Sequence, residues 1–514
     1  MNRREFIFAL GAAGGTGLCP SVFAEKRDPL AYDLVVAGGG PAGIAAAVTA
    51  GRRGLKVALL ESQGALGGVW TSGLLSCLLG FDQSPMDREL VERLRRWEAV
   101  SPRKPNTSSA WIYEPEYMKR VCEDMCEEAG VEFVFNSPVV AAVRDGSRVA
   151  AAVTESKSGR REWRGRYFMD CTGDGDFAAQ AGCGFSVGGN SGSNGEQPAS
   201  LIALVMLPGP VPAACIANDD ANFVPVELDA KAAFRKELER VGVSPSYGAP
   251  TLFRLRDGLY ALMANHEYGV KVDDALAITR ATVRARREVI DMVDALAKKG
   301  GAPWRGARVV TTAAQLAHRR ARRIHGRYTL TLEDLLEGRR FEDGVARCDF
   351  CLDVHAVTRE LNAKNPIAVP KGCKVKPYQI PLGACQAKDV DNLYLAGRCI
   401  SGEFLPQASY RITGAAVGMG AGVAEKIAEL CKDNDIELIL YTAPYPADEE
   451  EQAQYNAIAD FAEEKGLRYY NLMHEMDTIG LDISCDFMDI GHLNRSGQQK
   501  LTRYLGREYL AERE

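Results

Sequence analysis

DLVVAGGGPAGIAAAVTAGRRGLKVALLES, residues 33–62, decides the fold. A short run rich in valine, Asp33 to Ala37, leads into glycines at 38, 40 and 43 and then into a helix of small residues. Gly38 permits the tight turn out of a strand, Gly40 lets a pyrophosphate approach the backbone, and Gly43 lets helix pack on strand. The helix N-terminus presents free N–H groups to phosphate oxygens. A second strand, KVALLE, ends on Glu61, an acid suited to the hydroxyls of an adenosine ribose and hostile to a 2′-phosphate. Strand, glycines, helix, strand and acid in that order predict an α/β Rossmann-type site for NAD or FAD rather than NADP.

Three later stretches favour FAD. ESQGALGGVWTSGLL follows the ribose acid at once, and its Gly67-Gly68 pair offers a flexible loop beside a flavin. Residues 131–182 read as strands joined at Asp145-Gly146 and Ser158-Gly159, closing at Thr172-Gly173-Asp174. NLYLAGRCISGEFLPQASYRITGAAVGMGAGVAEKIAEL gives a strand into Gly397-Arg398 and then a glycine-spaced helix, whose N-terminus near Gly414 could aim donors at the flavin ring.

From about Asp33 to Leu430 the chain resembles the FAD-dependent oxidoreductases of the glutathione-reductase structural class. Within that class it is similar to the bacterial family called FAD-dependent oxidoreductase, related distantly to fumarate reductase and thiazole-synthesis flavoproteins. The words that carry this are GGGPAGIAAA, GALGG, DCTGDGDFAAQAG, RRARRIHGRYTLTLEDLLEGRRFEDGVAR, DVH and NLYLAGRCISG. The resemblance implies that Gly38, Gly40, Pro41, Ala42 and Gly43 contact the pyrophosphate region and Glu61 the ribose. It implies that Val139 meets the adenine through its backbone and that Gly173 and Asp174 form the closing cofactor loop. Gly397, Arg398 and Gly414 then belong to the flavin side. No motif indicates covalent attachment, so noncovalent FAD is expected.

A flavin supplies the redox chemistry, leaving the protein to orient substrate, move protons and tune the ring. HRRARRIHGRYTL places His318, Arg319, Arg320, Arg322, Arg323 and His325 within eight residues. On a helix they could not all face one way, and a solvated basic face is the ordinary explanation of such a run. The resemblance singles out Arg323, whose guanidinium would bind a carboxylate or hydroxyl-rich substrate. His355 in CLDVHAV is a candidate proton donor or acceptor, and Arg411 in ASYRITG could hold substrate or steady negative charge on the flavin. The expected reaction is two-electron hydride transfer between FAD and a small organic substrate, an acid or carbohydrate derivative; no residue names the electron acceptor.

The rest of the 514-residue chain sets bounds. Its length predicts two or three domains, and a net charge of -6 gives no reason to expect a nucleic-acid partner. Residues 1–24 carry Arg3 and Arg4, a short apolar stretch and Val22-Phe23-Ala24, the pattern of a twin-arginine export signal. The expectation is a folded flavoprotein handed to the twin-arginine machinery, periplasmic or secreted, with an apolar run too short for a stable membrane anchor. The 14 cysteines are scattered; Cys348 and Cys351 form a CxxC followed by His355, but no fourth ligand accompanies them and no metal is expected.

The expected organisation is a first FAD-binding part at 30–184, an α+β substrate cap at 185–373, a second FAD-binding part at 374–431 and a distinct tail at 432–514. In the tail, CDFMDIGHLNRSGQQKLTRYLGREYL resembles the closing block of SGNH (GDSL-like) hydrolases, with Asp489 and His492 as the Asp-x-x-His pair. The Gly-Asp-Ser block that should carry the nucleophile is absent from the chain. A base without a nucleophile does not hydrolyse esters. A docking or dimerising half-domain that carries this pair as relics therefore outranks the rival SGNH-type esterase; a chimeric join is a third possibility, and a flavin-bearing scaffold without catalysis is the remaining alternative.

Overall fold

Tyr32–Ala37 is a central strand of a seven-stranded sheet, and Leu34, Val35, Val36 and Ala37 are buried without remainder. A strand apolar on both faces must be covered on both, as in parallel α/β sheets. It pairs in parallel with Val57–Leu60 on one side and with the end of Gly159–Asp170 on the other. Glu132–Val134 extends the sheet beyond Val57–Leu60, and Leu393–Leu395 pairs in parallel with Phe168–Asp170. The result is a Rossmann-like α/β core. The computed structural model describes residues 6–9, 32–81, 83–101, 111–189, 197–218, 227–364, 372–433 and stretches of 438–508.

The expected strands between 131 and 182 are present. Val139–Asp145, Arg148–Ser156 and Gly159–Asp170 form an antiparallel meander whose turns fall at the predicted glycines, Gly146 (φ 57°) and Gly159 (φ 88°). The helix Pro41–Arg52 buries every residue from Ala42 to Ala50. Side chains this small let it lie close to the sheet, and Pro41 at the first helical position costs no hydrogen bond.

The cap is an antiparallel sheet ordered Thr251–Arg256, Leu259–Met263, Ala203–Met206, Arg308–Thr312. The helix Ala275–Lys299, capped by Asp274 on the Ala277 N–H at 2.9 Å, buries Ala281, Ala285, Val289, Met292, Val293 and Leu296. The expected cap boundary at 373 is corrected. Gly344–Cys348 pairs with Tyr378–Pro381 across it, and Gly422 of the glycine-spaced helix Thr413–Asp433 has room for no side chain against the Val345 carbonyl. Residues 344–348 thus pack on the second FAD-binding part.

Contacts divide the chain into two units, Leu30–Ala428 and a second made of Met1–Pro29 with Glu429–Glu514. The second unit holds a parallel sheet ordered Phe6–Ala9, Leu438–Thr442, Arg468–Asn471 and a small core of Leu472, Ile479, Leu481, Leu501, Tyr504 and Leu505. Both tail strands expected from the sequence are present. Phe6–Ala9, expected within a leader, is the edge strand of this sheet; the rest of residues 1–24 lies outside the described residues, as do residues 190–196 of the glycine-serine stretch. Among the described residues no helix is long and apolar enough to cross a membrane.

Candidate active site

The glycine turn is built by close approach at two positions and by empty space at a third. A Cβ on Gly38 (φ 97°) would lie 2.6 Å from the Cys171 carbonyl oxygen, and one on Gly43 would lie 1.8 Å from that of Gly38. At Gly40 a Cβ would meet nothing within 4 Å. Helix and strand therefore require glycine at 38 and 43, whereas Gly40 leaves room in front of a helix N-terminus, where a pyrophosphate fits.

Gly67 (φ 105°) and Gly68 (φ 52°) fold back over this turn. The Gly67 N–H donates to the Gly39 carbonyl at 2.8 Å, and a Cβ on Gly68 would come within 3.0 Å of the Gly40 Cα. The Glu61 carboxylate accepts from the Gly39 N–H at 2.7 Å, from the Gln63 N–H at 2.7 Å and from the Ser62 hydroxyl at 3.1 Å. It is thereby fixed, with one acceptor site left on Oε2 for a ribose hydroxyl. The Ser137 N–H donates to the Glu61 carbonyl at 2.9 Å, which brings half-buried Val139, two residues on, beside the ribose acid.

On the opposite flank, Arg398 pairs with Asp174 at 2.8 Å and crowds Gly173 (φ 82°), where a Cβ would lie 2.8 Å from the guanidinium. The neighbouring Asp170 was not singled out in the sequence. Its buried carboxyl, pushed up to about 6 by burial, caps the turn by accepting from Thr172 and from the Ala178 N–H. Gly397 lies over Ala42, and a Cβ on Gly420 would come within 2.0 Å of the Ala42 carbonyl, so the two helices meet at that alanine. Gly414 departs from expectation. Its N–H already donates to the Leu79 carbonyl at 3.1 Å, and a Cβ there would lie 2.0 Å from the Gly80 oxygen. It is a packing glycine, and its N–H is not free for the flavin. Arg398 Nε and Thr413 Oγ1 are buried without partners among the described residues, as donors reserved for a bound group would be. The set fits FAD.

The basic run 318–325 is not helical; only Arg323–Ile324 forms a strand, and the rest is irregular. Bridges from Ala317 to Ser200 and from Gly326 to Ala387 hold its ends, and its side chains go different ways. His318 faces Asp174 and Arg398, and burial lowers its pKa. Arg320 lies over the Phe404 ring at 3.7 Å, and Arg322 binds Asp176 at 2.7 Å and the Asp174 carbonyl at 3.0 Å. Arg323 is buried and donates to the Gly188 carbonyl at 2.9 Å, with its Nε unpartnered among the described residues.

His355 and Arg411 are brought together by Asp353. Arg411 Nη2 donates to the Asp353 carboxylate at 2.7 Å and to its carbonyl at 2.8 Å, and His355 Nε2 lies 3.3 Å from the other carboxylate oxygen. Burial pushes Asp353 up, but Arg411, His355 and Arg319 together outweigh it and hold the carboxyl well below the usual range. His355, 5% exposed, is lowered to about 4 by burial and next by Arg319, so it is neutral at physiological pH.

Beside it stands a second histidine that sequence reasoning missed. His266, 2% exposed, packs edge-on to His355 at 5.2 Å and stacks on Tyr247 at 4.1 Å. Neither of its ring nitrogens, nor His355 Nδ1, has a hydrogen-bond partner among the described residues. The available signal was the polar stop NHEY after the apolar strand YALM, in a chain with six histidines. Arg319 keeps part of its surface accessible, yet burial lowers its pKa to about 10. It donates to the Pro198 carbonyl at 2.8 Å and Ser200 Oγ at 2.7 Å, and among the described residues no carboxylate forms an ion pair with it.

Cys348 is buried near Ser409 and Cys351 is exposed, both as free thiols, and the described residues hold no metal-ligating cluster. In the tail, Asp489 and His492 are backbone partners in an antiparallel pair; their side chains lie outside the described residues.

Glycine turn, ribose acid and the flanking Arg398 loop on a Rossmann-like sheet define a dinucleotide-binding redox protein. The chain belongs to the FAD dependent oxidoreductase family, whose model matches residues 33–439; it is an oxidoreductase, and its cofactor is FAD. It is similar to a geranylgeranyl bacteriochlorophyll reductase-like protein of Thermoplasma acidophilum, at 12% identity and TM-score 0.41 over 94% of this chain and 97% of that one. It is similar to p-nitrophenol 4-monooxygenase of Pseudomonas putida, at 14% identity and TM-score 0.39 over 78% of each chain. A third is anhydrotetracycline hydroxylase of Streptomyces rimosus, at 14% identity and TM-score 0.42 over 78% of this chain and 62% of that one. No curated protein matches the chain.

Proposed function

We propose that the cluster of Arg319, His355, His266 and Arg411 binds a small organic acid, which exchanges two electrons with noncovalently bound FAD. The observation that carries this is the charge balance. Arg411 is neutralised by Asp353, both histidines are neutral, and Arg319 remains a deep cation without an ion-pair partner among the described residues. A desolvated, uncompensated guanidinium is costly, and a carboxylate offering two oxygens to its planar fork relieves that cost.

FAD supplies the two-electron redox chemistry when bound. His355 handles the accompanying proton. With Nε2–H directed at Asp353, Nδ1 is left as a bare base inside the cluster, and Arg411 holds Asp353 in place. Arg411 precedes Gly414 by three residues and follows the helix Phe404–Tyr410, whose Gln407 donates to the Arg398 carbonyl at 2.9 Å. One short element therefore links this cluster to the cofactor flank. Export through Arg3 and Arg4 belongs to the proposal, and it predicts that lysine at both positions retains the protein in the cytoplasm.

The test begins with the visible spectrum of purified protein and identification of the flavin released on denaturation. Small carboxylic acids and their amides are then screened anaerobically for bleaching of the flavin. Acids should bleach it and amides should not, and Arg319→Met should abolish the response while retaining FAD. Bleaching by amides and acids alike, or an unaffected Arg319→Met, rejects the acid reading; colour left in the precipitate rejects noncovalent binding. A flavin that nothing reduces supports the scaffold alternative.

A further inference from the structure

We infer that Glu288, on the long cap helix, is a positioning residue that sets the His266–Tyr247 ring pair against His355. The inference rests on the cluster being the substrate site. Glu288 Oε1 accepts the Ser246 N–H at 2.7 Å, and Oε2 accepts both the Ser246 hydroxyl at 2.7 Å and Asn265 Nδ2 at 2.6 Å. Ser246 Oγ in turn accepts the His266 N–H at 2.8 Å, and the Ser246 carbonyl accepts the Tyr268 hydroxyl at 2.8 Å. One carboxylate thus ties down the residue before Tyr247 and the residue before His266.

Each segment also has its own anchor, the Gly248 N–H on Asn362 Oδ1 at 2.7 Å and Glu267 in a backbone bridge with Ala199, and Glu288 joins the two. The backbone bond between them, from the Tyr247 N–H to the Ala264 carbonyl, is long at 3.4 Å. The His266 ring nitrogens have no polar partner among the described residues, so that ring is located by its own backbone and by ring contacts with Tyr247, Tyr268 and His355. Tyr247 also meets His355 edge-on at 5.7 Å, so a slip of either segment changes what the base sees. Glu288 can act as a fixed point because its neighbours Val289, Met292 and Val293 are anchored in the cap core. Its chemistry is specific. Three donors converge on two carboxylate oxygens, and a glutamine would present its own N–H groups to some of them.

The test uses full-length, FAD-loaded protein and diethylpyrocarbonate, which acylates neutral imidazole. Modification is measured at each histidine by peptide mass spectrometry, with exposed His325 as internal reference. In Glu288→Ala the rate at His266 should rise at least ten-fold, with the flavin spectrum and the His325 rate unchanged. Glu288→Gln should fall between wild type and alanine, and Ser246→Ala, which removes the relay hydroxyl, should also expose His266. A wild-type rate at His266 in Glu288→Ala overturns the inference, as does a parallel rise at every histidine. If the alanine variant does not accumulate, Glu288→Gln and Ser246→Ala are judged by the same criterion. No substrate enters this assay, so acids that fail to reduce the flavin would remove the functional reading and leave the positioning result standing.

Discussion

Replacing Gly40 by alanine separates the cofactor role of the glycine turn from its structural role. Gly40 has φ −77° and ψ −174°, extended backbone open to any residue, and a Cβ there meets nothing within 4 Å. Without FAD the variant should match wild type to within about 0.5 kcal/mol, the ordinary range for a substitution that touches nothing. The same methyl on Gly43 would lie 1.8 Å from the Gly38 carbonyl oxygen, where ordinary contact begins at 3.4 Å. Relieving that overlap moves the helix off its strand and costs about 1–3 kcal/mol with or without cofactor. FAD reverses the comparison for Gly40, because the methyl occupies the room left for the pyrophosphate. At FAD 100-fold above Kd, binding adds about 2.7 kcal/mol to wild-type stability. A roughly 100-fold affinity loss in Gly40→Ala removes most of it. Thermal melts of stripped protein with and without FAD, joined to a titration of flavin fluorescence quenching, measure both quantities. Wild-type affinity in Gly40→Ala, or an apoprotein that melts early, refutes the assignment.

Three further outcomes are expected. Gly173→Ala strains a residue at φ 82° by about 1 kcal/mol and displaces Arg398, so purified protein should carry less FAD by absorbance. Asp353→Asn leaves Arg411 without its counter-charge and should cost about 2–4 kcal/mol in urea denaturation, most of it recovered in the double variant with Arg411→Met. His355 is lowered to about 4 in the fold against about 6.5 for an exposed histidine, so the unfolded chain binds a proton that the folded protein refuses. Stability contributed by His355 is complete above about pH 6.5 and falls by about 3 kcal/mol by pH 4. Asp87 and Asp170, both raised to about 6 by burial, act in the opposite sense over this range. The quantity to follow is therefore wild type minus His355→Gln, and a flat difference from pH 7 to 4 contradicts the buried, neutral histidine.

The sequence by itself determined the cofactor cradle. Nearby positions carry most of its signal: a valine-rich strand buried on both faces, a glycine at 43 that answers the Gly38 carbonyl five residues back, and an acid at the end of the next strand, although Gly38 also answers the distant Cys171 carbonyl. The meander turns at Gly146 and Gly159 and the cap helix behind Asp274 are local in the same sense, because backbone conformation and capping act over one turn of chain. Gly414 shows where such reasoning stops: its spacing was visible, but whether its N–H met a flavin or the Leu79 carbonyl depended on a segment more than three hundred residues away in the chain. The cluster proposed to bind substrate was decided by tertiary structure for the same reason. His266, Arg319, His355 and Arg411 come from four separate segments, and no periodicity links them. The arginines of the 318–325 run could not be sorted from the sequence, because their directions follow from bridges at its two ends to distant segments. Arg323 consequently turned to a backbone carbonyl and Arg319 to the histidines. Local rules place the backbone that receives FAD; long-range packing chooses which buried charges are left without a partner, and with them what the protein can bind.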